Sequence, residues 1–501
     1  MRKTIPAIFG TCFWRRVGEF FPVKLFINQL QHNQLIILMW FLPYLIITGI
    51  LGKGLGIPSL FLAPDYMGQI SPVSFLFMGL ATGSFIIAYH ITSYILMSYR
   101  FPFIVTLKRP FYIFSLNNSF VPFVYLILFL AESFRFQTSY ELIPEKIVIQ
   151  NLISFLGGNL LFIILSLTFF NLMNHLIKSN KTIVTEDVEP EKKKETWFQR
   201  IIKRSKEKKL AEAPVNNRGK DRIGTYIQGN FSIAPSKDFR DYDKHSLSKV
   251  FHQQHINTLI FILSILIFII IRGLIKNQPA LILPAGASLQ LFFTMILLAI
   301  SLFYLLFKNW TFLVLLILFV IGSYTTFNKI DSYNDSAYGL YYPKEEKSVP
   351  FLKSGNFHAD SLNTIMVLEK WKQKFTELKN GNKPKMVIIC TTGGGLKLAV
   401  WTYYSLAYAD SATGNQLLKH TQLITGASGG MVGAAYIRAL YLKKVQGKIK
   451  HIYKPEYWRA IGKDVLNPVI YSFAMSDWFF RLQTFSYNGH KYFKDRGYML
   501  E

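Results

Sequence analysis

The sequence predicts an α-helical, multi-pass membrane region of about seven spans followed by an α/β domain. Three observations carry this expectation. Hydrophobic residues make up 51% of the 501, phenylalanine alone numbers 44, and they cluster into long uncharged runs that a soluble chain of this length does not need. Those runs stop near residue 327. Beyond Met386, short β-branched runs alternate with helix-like segments, and two strand-to-helix turns follow in order, one glycine-rich and one carrying a serine.

The chain divides into residues 1–177, 178–255, 256–327 and 328–501. Arg15 and Arg16 interrupt any apolar core near the N-terminus, so no signal peptide is read there. Phe9, Phe13, Trp14, Phe20, Phe21 and Phe26, mixed with Arg15, Arg16 and Lys24, suggest either a segment lying in a membrane interface or a disordered or packed N-terminus. Four apolar stretches then approach the length of about twenty residues needed to cross a bilayer. They run over Leu35 to Leu51, Val73 to Met97, Phe111 to Leu130 and Ile147 to Ile177, with Asn117 and Asn118 interrupting the start of the third. His90 and Asn159 are polar residues inside these runs; scattered and without a paired acid and base, they read as helix-to-helix hydrogen-bonding groups.

Formal net charge is +27, from 56 basic and 29 acidic side chains. The basic residues flank the apolar runs, so an anionic lipid surface accounts for them and nucleic acid is not implied. Arg2, Lys3, Arg15, Arg16 and Lys24 precede the first run, Arg100, Lys108 and Arg109 follow the second, and the segment after the fourth is strongly basic. This places the N-terminus and residues 178–255 in the cytoplasm. The mixed-charge stretch 178–255 reads as a largely disordered linker, because it has too little apolar surface to fold alone. Thr258 to Ile275, Leu289 to Phe307 and Trp310 to Tyr324 form a second block of three spans, the last two joined only by Lys308 and Asn309. Seven spans from a cytoplasmic start leave the C-terminal domain on the far side; one span more or fewer reverses this. Cys12 and Cys390 lie far apart without metal-ligand spacing, so neither a disulfide framework nor a zinc site is implied.

In the C-terminal domain, Ser361 to Leu378 carries Leu362, Ile365, Leu368, Trp371 and Phe375 at helical spacing and is expected to pack on a sheet. Asn380 to Pro384 ends it. The first strand, Val387 to Thr392, runs into Gly393-Gly394-Gly395 and a helix from Leu396 to Asp410; Cys390 is expected to be buried in that strand. A second strand, Thr421 to Thr425, meets Gly426-Ala427-Ser428-Gly429-Gly430 and another helix. The second turn matches G-x-S-x-G, the nucleophile elbow, in which glycines flank the serine because the sharp bend leaves no room for side chains. Ser428 at a helix N-terminus sits where unpaired amides favour developing negative charge. Gly393, Gly394 and Gly395, with Gly429, supply backbone N–H groups for an oxyanion hole; Gly426 and Gly430 are the elbow glycines, and Lys397 adds nearby positive charge.

On these motifs the segment resembles the patatin-like phospholipases. Gly393-Gly394-Gly395-Leu396-Lys397 matches the middle of that family's glycine-rich loop, and Gly426 to Gly430 matches its elbow completely; Thr392 and Leu398 stand where the family has Asp and Gly. The resemblance covers at most about a third of the chain. It implies a three-layer α/β fold and a Ser-Asp dyad acting on a lipid ester, without metal or organic cofactor. It also implies an aspartate in an Asp-Gly pair downstream of the serine. Asp464, Asp477 and Asp495 are not followed by glycine, so the domain is expected to be incomplete at its C-terminus and to lack its general base. Two rivals stand beside it. A histidine-dependent hydrolase would use Ser428 with Asp464 or Asp477 and His490, in the chain order of that class. A non-enzymatic membrane scaffold or transporter would carry a degenerate hydrolase domain. The aromatic-rich tail, with Trp458, Phe473, Trp478, Phe479, Phe480 and Phe485, reads as core and cap of the domain, or as a surface that admits lipid.

Overall fold

The computed structural model describes residues 16–107, 109–182, 223–236, 244–275, 278–329, 357–373, 386–477 and 483–500. The chain is organised as two units, Met1–Asp335 together with Val465–Glu501, and Ser336–Asp464.

The first unit is helical. Its elements are α1 (Phe21–His32), α2 (Gln34–Ile47), α3 (Ile57–Leu62), the two-residue strands β1 (Asp65–Tyr66) and β2 (Gln69–Ile70), and α4 (Pro72–Met97). They continue with α5 (Pro110–Asn117), α6 (Phe120–Ser139), α7 (Glu145–Thr182), the hairpin β3 (Thr225–Ile227) and β4 (Ile233–Pro235), α8 (Lys244–Gly273), α9 (Ala285–Phe307) and α10 (Thr311–Lys329). Among the described residues, five helices are long and apolar enough to cross a membrane: Pro72–Arg100, Phe120–Ser139, Glu145–Met173, Ile256–Gly273 and Ala285–Phe307. A sixth is obtained if Phe21–His32 and Gln34–Ile47, bent by 97°, count as one span. Among the described residues the seven expected spans are therefore not all found. The expected first span starts just after a sharp turn at Asn33 and ends early at Ile47; the expected third is shifted to Phe120–Ser139 by a break after Asn117, whose amide side chain bonds to backbone; and the side chains of the expected seventh lie outside the described residues beyond Ile321.

Helix α4 is the axis of this unit. A serine cap opens it, with the Ser71 N–H donating to Ser74 Oγ at 3.1 Å and Pro72 at the first helical position. Phe85, Ile87, Tyr89 and Ile91 are all buried, so the helix is covered on every side, which its apolar composition demands. Helix α7 crosses it at a seam of glycines. A Cβ at Gly79 would lie 2.1 Å from the Phe155 carbonyl, one at Gly83 2.8 Å from the Asn159 carbonyl, and one at Gly158 2.4 Å from the Leu76 carbonyl. Gly79 and Gly83 form a small-xxx-small pair, the pattern that lets two apolar helices approach until their backbones touch. On another side α9 meets α4 through hydroxyls: Ser84 Oγ and Thr294 Oγ1 lie 3.1 Å apart, Thr92 Oγ1 donates to the Leu297 carbonyl at 3.2 Å, and Ser301 Oγ donates to Thr92 Oγ1 at 2.7 Å. Outward positions of α6, α7 and α8, including Phe123, Ile127, Leu160, Leu165, Ile267 and Phe268, are exposed and apolar, as a hydrocarbon surrounding requires.

A polar cluster lies inside the bundle. Gln29 Nε2 donates to Asn118 Oδ1 at 2.8 Å and to Ser93 Oγ at 3.1 Å, Tyr89 O–H donates to Gln29 Oε1 at 2.8 Å, and the Asn118 amide lies 3.4 Å from His90 Nδ1. His90 thus bonds to the turn between α5 and α6, whereas the buried Asn159 amide nitrogen, also expected to bond between helices, has no hydrogen-bond partner among the described residues.

Within the stretch read as a disordered linker, residues 223–236 form a hairpin docked on α1 and α5. Asn117 acts as a piece of strand, its Nδ2 donating to the Ile227 carbonyl and its Oδ1 accepting from the Ile227 N–H, both at 2.8 Å. Gly224 N–H donates to the Glu19 carbonyl at 2.8 Å, and Tyr226 is buried beside Phe103. Ile223, Tyr226 and Ala234 supply the apolar contacts that the charged flanks lack. Residues 183–222 and 237–243 lie outside the described residues.

The second unit contains α11 (Phe357–Gln373), β5 (Val387–Thr391), α12 (Gly395–Ala412), α13 (Leu417–His420), β6 (Thr421–Gly426), α14 (Ser428–Val445) and α15 (Pro455–Ile461). Strands β5 and β6 pair in parallel, Ile389 opposite Ile424 and Thr391 opposite Gly426. Helices α12 and α14 pack together on one face of the pair, around Tyr403, Ala407, Ile437 and Leu440. Among the described residues the other face is bare, with Ile388 and Leu423 about half exposed, so two layers are seen and not three. The same bareness exposes Cys390, against the expectation of a buried strand residue. Leu362, Ile365 and Leu368 of α11 are also exposed, so that helix does not pack on the sheet as expected. Residues 374–385, including Phe375 and the Asn380 to Pro384 stop, lie outside the described residues.

The last segment belongs to the helical unit. It comprises α16 (Leu466–Ser472), a π-helical turn Phe473–Asp477, the hairpin β7 (Thr484–Tyr487) and β8 (His490–Phe493), and α17 (Arg496–Leu500). Asn467 fastens it, accepting from the Ala285 N–H at 2.6 Å and donating to the Asp65 carbonyl at 2.7 Å, while Tyr471 O–H bonds to the Arg272 carbonyl. Met475 closes on Gly273, where a Cβ would lie 2.4 Å from its carbonyl oxygen. Phe473 meets Phe292, and Phe485 packs against Tyr492 within its own hairpin. Trp478, Phe479 and Phe480 lie outside the described residues.

Two outcomes follow. Gly79→Val is expected to wedge α4 from α7 and cost about 1–3 kcal/mol, read as a lowered midpoint of thermal unfolding in detergent, whereas Gly157→Ala, which faces open space inside α7, is expected to leave the midpoint unchanged or raise it, a gain of up to about 1 kcal/mol. Asn117→Leu removes both bonds to the hairpin and is expected to make residues 223–236 a preferred site of limited proteolysis.

Candidate functional site

The site is built by two parallel strands that end side by side. Each hands the chain directly to a helix, so the loops after β5 and β6 lie next to each other at the carboxyl end of the pair. Ala427 is extended, with φ −136° and ψ 153°, and Ser428 then takes φ +50° before starting α14. A serine in the left-handed region is strained, at about 1–3 kcal/mol, and the strain presents its side chain on the outside of the bend. Ser428 is exposed, in keeping with that geometry.

Four contacts lock the two turns together. A Cβ added at Gly426 would lie 2.0 Å from Thr391 Oγ1, at Gly429 1.8 Å from the Gly395 carbonyl, at Gly430 2.2 Å from the Thr392 carbonyl, and at Gly393 3.4 Å from the Ser428 Cβ. The first three positions admit no side chain, so the elbow glycines serve as contact surfaces for the first loop. Gly395 itself has φ +64°, a second reason for glycine there. Thus the loop Gly393 to Gly395 lies against the bend formed by Gly426, Ser428, Gly429 and Gly430. Lys397 lies in the first turn of α12 and is exposed. Both helices begin at these turns, and first-turn N–H groups have no intrahelical acceptor.

The motifs do not reveal what continues the seam. Gly433 lies one turn along α14, where a Cβ would be 2.2 Å from the Ala399 carbonyl. Its signal in the sequence is the spacing of Gly429, Gly430 and Gly433, which repeats a small residue on one helix face. Asp410 is likewise outside the motifs. Fully buried at the end of α12, it accepts from the Leu418 N–H at 2.9 Å and from Tyr453 O–H at 2.8 Å, tying α12 to α13, which leads into β6. Burial first, then the bond to the Asp410 carboxylate, pushes the Tyr453 phenol well above its ordinary range. Arg438 Nη1 donates to the Leu418 carbonyl at 2.9 Å from the α14 side. A depression of ≈ 340 Å³ lies on the open edge of β6, lined by Thr421, Gln422, Ile424, Met431, Ala435 and Arg438, with Met431 within one turn of Ser428.

Of the residues named for a histidine mechanism, Asp464 closes the second unit, whereas Asp477 and His490 belong to the helical unit. Asp477 accepts from Ser472 Oγ at 2.8 Å and lies 3.9 Å from Arg496 Nε; His490 pairs with Tyr487 in the β7–β8 hairpin. Among the described residues no three His, Cys, Asp or Glu side chains gather as a metal site.

Fold and site define a class in coarse terms: a mostly helical protein, several of whose helices are apolar enough to cross a membrane, carrying a βαβα module with a serine at a glycine-locked bend. No protein-family model, no curated protein and no solved structure matches the chain.

Gly429→Ala is expected to force the two turns apart and destabilise the second unit by about 1–3 kcal/mol, measured as faster limited proteolysis within 386–464 of the full chain.

Proposed function

We propose that the chain is a membrane-embedded serine acyl hydrolase of the patatin-like type, acting on the ester of a phospholipid or lysophospholipid. The observation that supports this best is Ser428 at φ +50°, with the Gly393 to Gly395 loop packed against the elbow around it. In the proposed reaction Ser428 Oγ attacks the ester carbonyl carbon while a general-base carboxylate takes its proton. Backbone N–H groups of Gly394, Gly395 and Gly429 stabilise the oxyanion, the C–O bond to the leaving alcohol breaks, and the alcohol departs with the proton. Water, deprotonated by the same base, then releases the fatty acid and restores the serine. The proposed fold is completed by a third layer over the bare face of β5 and β6. Anchoring in a bilayer supplies a lipid substrate without its full desorption.

A second reading, a membrane transporter or scaffold with an inactive hydrolase-like module, draws on the buried Gln29, Tyr89, Ser93, His90 and Asn118 cluster, since polar groups inside an apolar bundle mark pathways in other membrane proteins. The two readings separate on one experiment. A fluorophosphonate probe is expected to label the full chain in membranes, and Ser428→Ala to abolish labelling and lower lipid ester hydrolysis by about 10⁴-fold or more. A wild-type chain that takes no label and hydrolyses neither phospholipid nor lysophospholipid removes the hydrolase reading.

A further inference from the structure

We infer that the outer face of α12 and the adjoining part of α15 form a docking surface for an anionic phospholipid headgroup layer. Helix α12 is two-faced in an unusual way. Its inner face buries Ala399, Tyr403, Ala407 and Asp410. Its outer face carries Trp401, Tyr404 and Tyr408, which are 67%, 45% and 78% exposed and spaced i, i+3 and i+7 along one side. Helix α15 extends this stripe. The Trp458 ring lies 6.2 Å from that of Tyr404, Gly462 lies against Val400, and the Arg459 guanidinium sits 5.4 Å over the Trp458 ring.

The charge around these rings is mostly positive, with Asp464, half-buried beside Lys463, as the acid at its edge. Lys397 precedes Trp401 by one turn, and Lys397, Arg459 and Lys463 are exposed. The acids on the same two helices are neutralised or withdrawn, because Asp410 is buried and hydrogen-bonded and Glu456 pairs with Lys454 at 3.5 Å. Tryptophan and tyrosine are the side chains that settle at the headgroup level of a bilayer, where an apolar ring and a polar edge are both satisfied. Lysine and arginine among them favour an anionic leaflet. A protein partner would accept the rings equally well, but it gives no reason for the excess of positive charge beside them. The same chain carries helices apolar enough to cross a membrane, so a headgroup layer is a partner that the rest of the chain would itself supply. Gly395, at the start of α12, touches Gly429, so the stripe begins two turns from Ser428 and docking would bring headgroups to that bend. The docking surface goes beyond the hydrolase reading and does not require Ser428 to be a nucleophile.

The test uses the full chain with Cys12→Ser and Cys390→Ser, reconstituted into phosphatidylcholine vesicles with and without phosphatidylglycerol. A polarity-sensitive fluorophore is attached at Tyr408→Cys, or at Trp401→Cys in a second variant, and at Lys419→Cys as a position outside the stripe. The stripe labels are expected to shift to the blue and to be quenched by nitroxide-bearing lipid, with quenching increased about twofold or more by phosphatidylglycerol, while the Lys419 label stays in water. Stripe labels quenched only by aqueous reagents in both vesicle types overturn the proposal. So do quenching indifferent to phosphatidylglycerol and a blue shift without lipid quenching, the last being the mark of a protein partner or a second copy. Fluorophosphonate labelling of Ser428 in the same vesicles reports separately on the hydrolase reading.

Discussion

The backbone of one turn rests directly on the backbone of another at the end of β5 and β6. With a Cβ at Gly429 only 1.8 Å from the Gly395 carbonyl, the two loops are as close as main chains can come. Everything distinctive about the second unit follows from that contact. It demands glycine at three elbow positions, it sets α12 and α14 side by side, and Gly433 against Ala399 continues it into the helix pair. The same closeness holds Ser428 in a left-handed conformation that an unsupported serine would leave, because relaxing φ would drive the first turn of α14 out of its seat. Strain at a single residue is thus maintained by packing around it.

The helical unit uses the same physics at larger scale. Where helices are surrounded by hydrocarbon, burying one more leucine gains little, so close approach and internal hydrogen bonds must supply the specificity. Gly79, Gly83 and Gly158 let α4 and α7 touch, and Gly273 and Gly286 do the same against Met475 and Leu60. Ser84, Thr92, Thr294 and Ser301 bond α4 to α9. Polar side chains at helix breaks are used with equal economy. Asn117 completes the edge of a β-hairpin, and its neighbour Asn118 joins Gln29 and Tyr89 in the interior.

Much of this was legible in the amino-acid order. The apolar runs located the long helices, since a segment that must satisfy its own backbone in hydrocarbon has few alternatives to an α-helix. The strand, glycine triplet and G-x-S-x-G spacing located both turns to within a residue or two, because β-branched runs, glycines and a serine at a helix start are local signals. The break near Asn117 and Asn118 was visible for the same reason. Less legible were the ends of the spans and their number, which depend on bends such as that at Asn33.

Sequence alone determined where the long apolar helices and the two strand-to-helix turns of the second unit lie, for these are set by composition and short-range geometry. Tertiary structure decided the rest. Only packing reveals that residues 223–236 fold as a hairpin against α1 and α5, that Val465–Glu501 fastens onto the helical unit through Asn467 and Tyr471, and that Cys390 and the apolar side of α11 stand exposed. The reason is that periodicity states which side of an element is apolar but not what covers it. Cover is set by contacts across hundreds of residues, such as Asn467 with Asp65, that leave no mark on either local sequence.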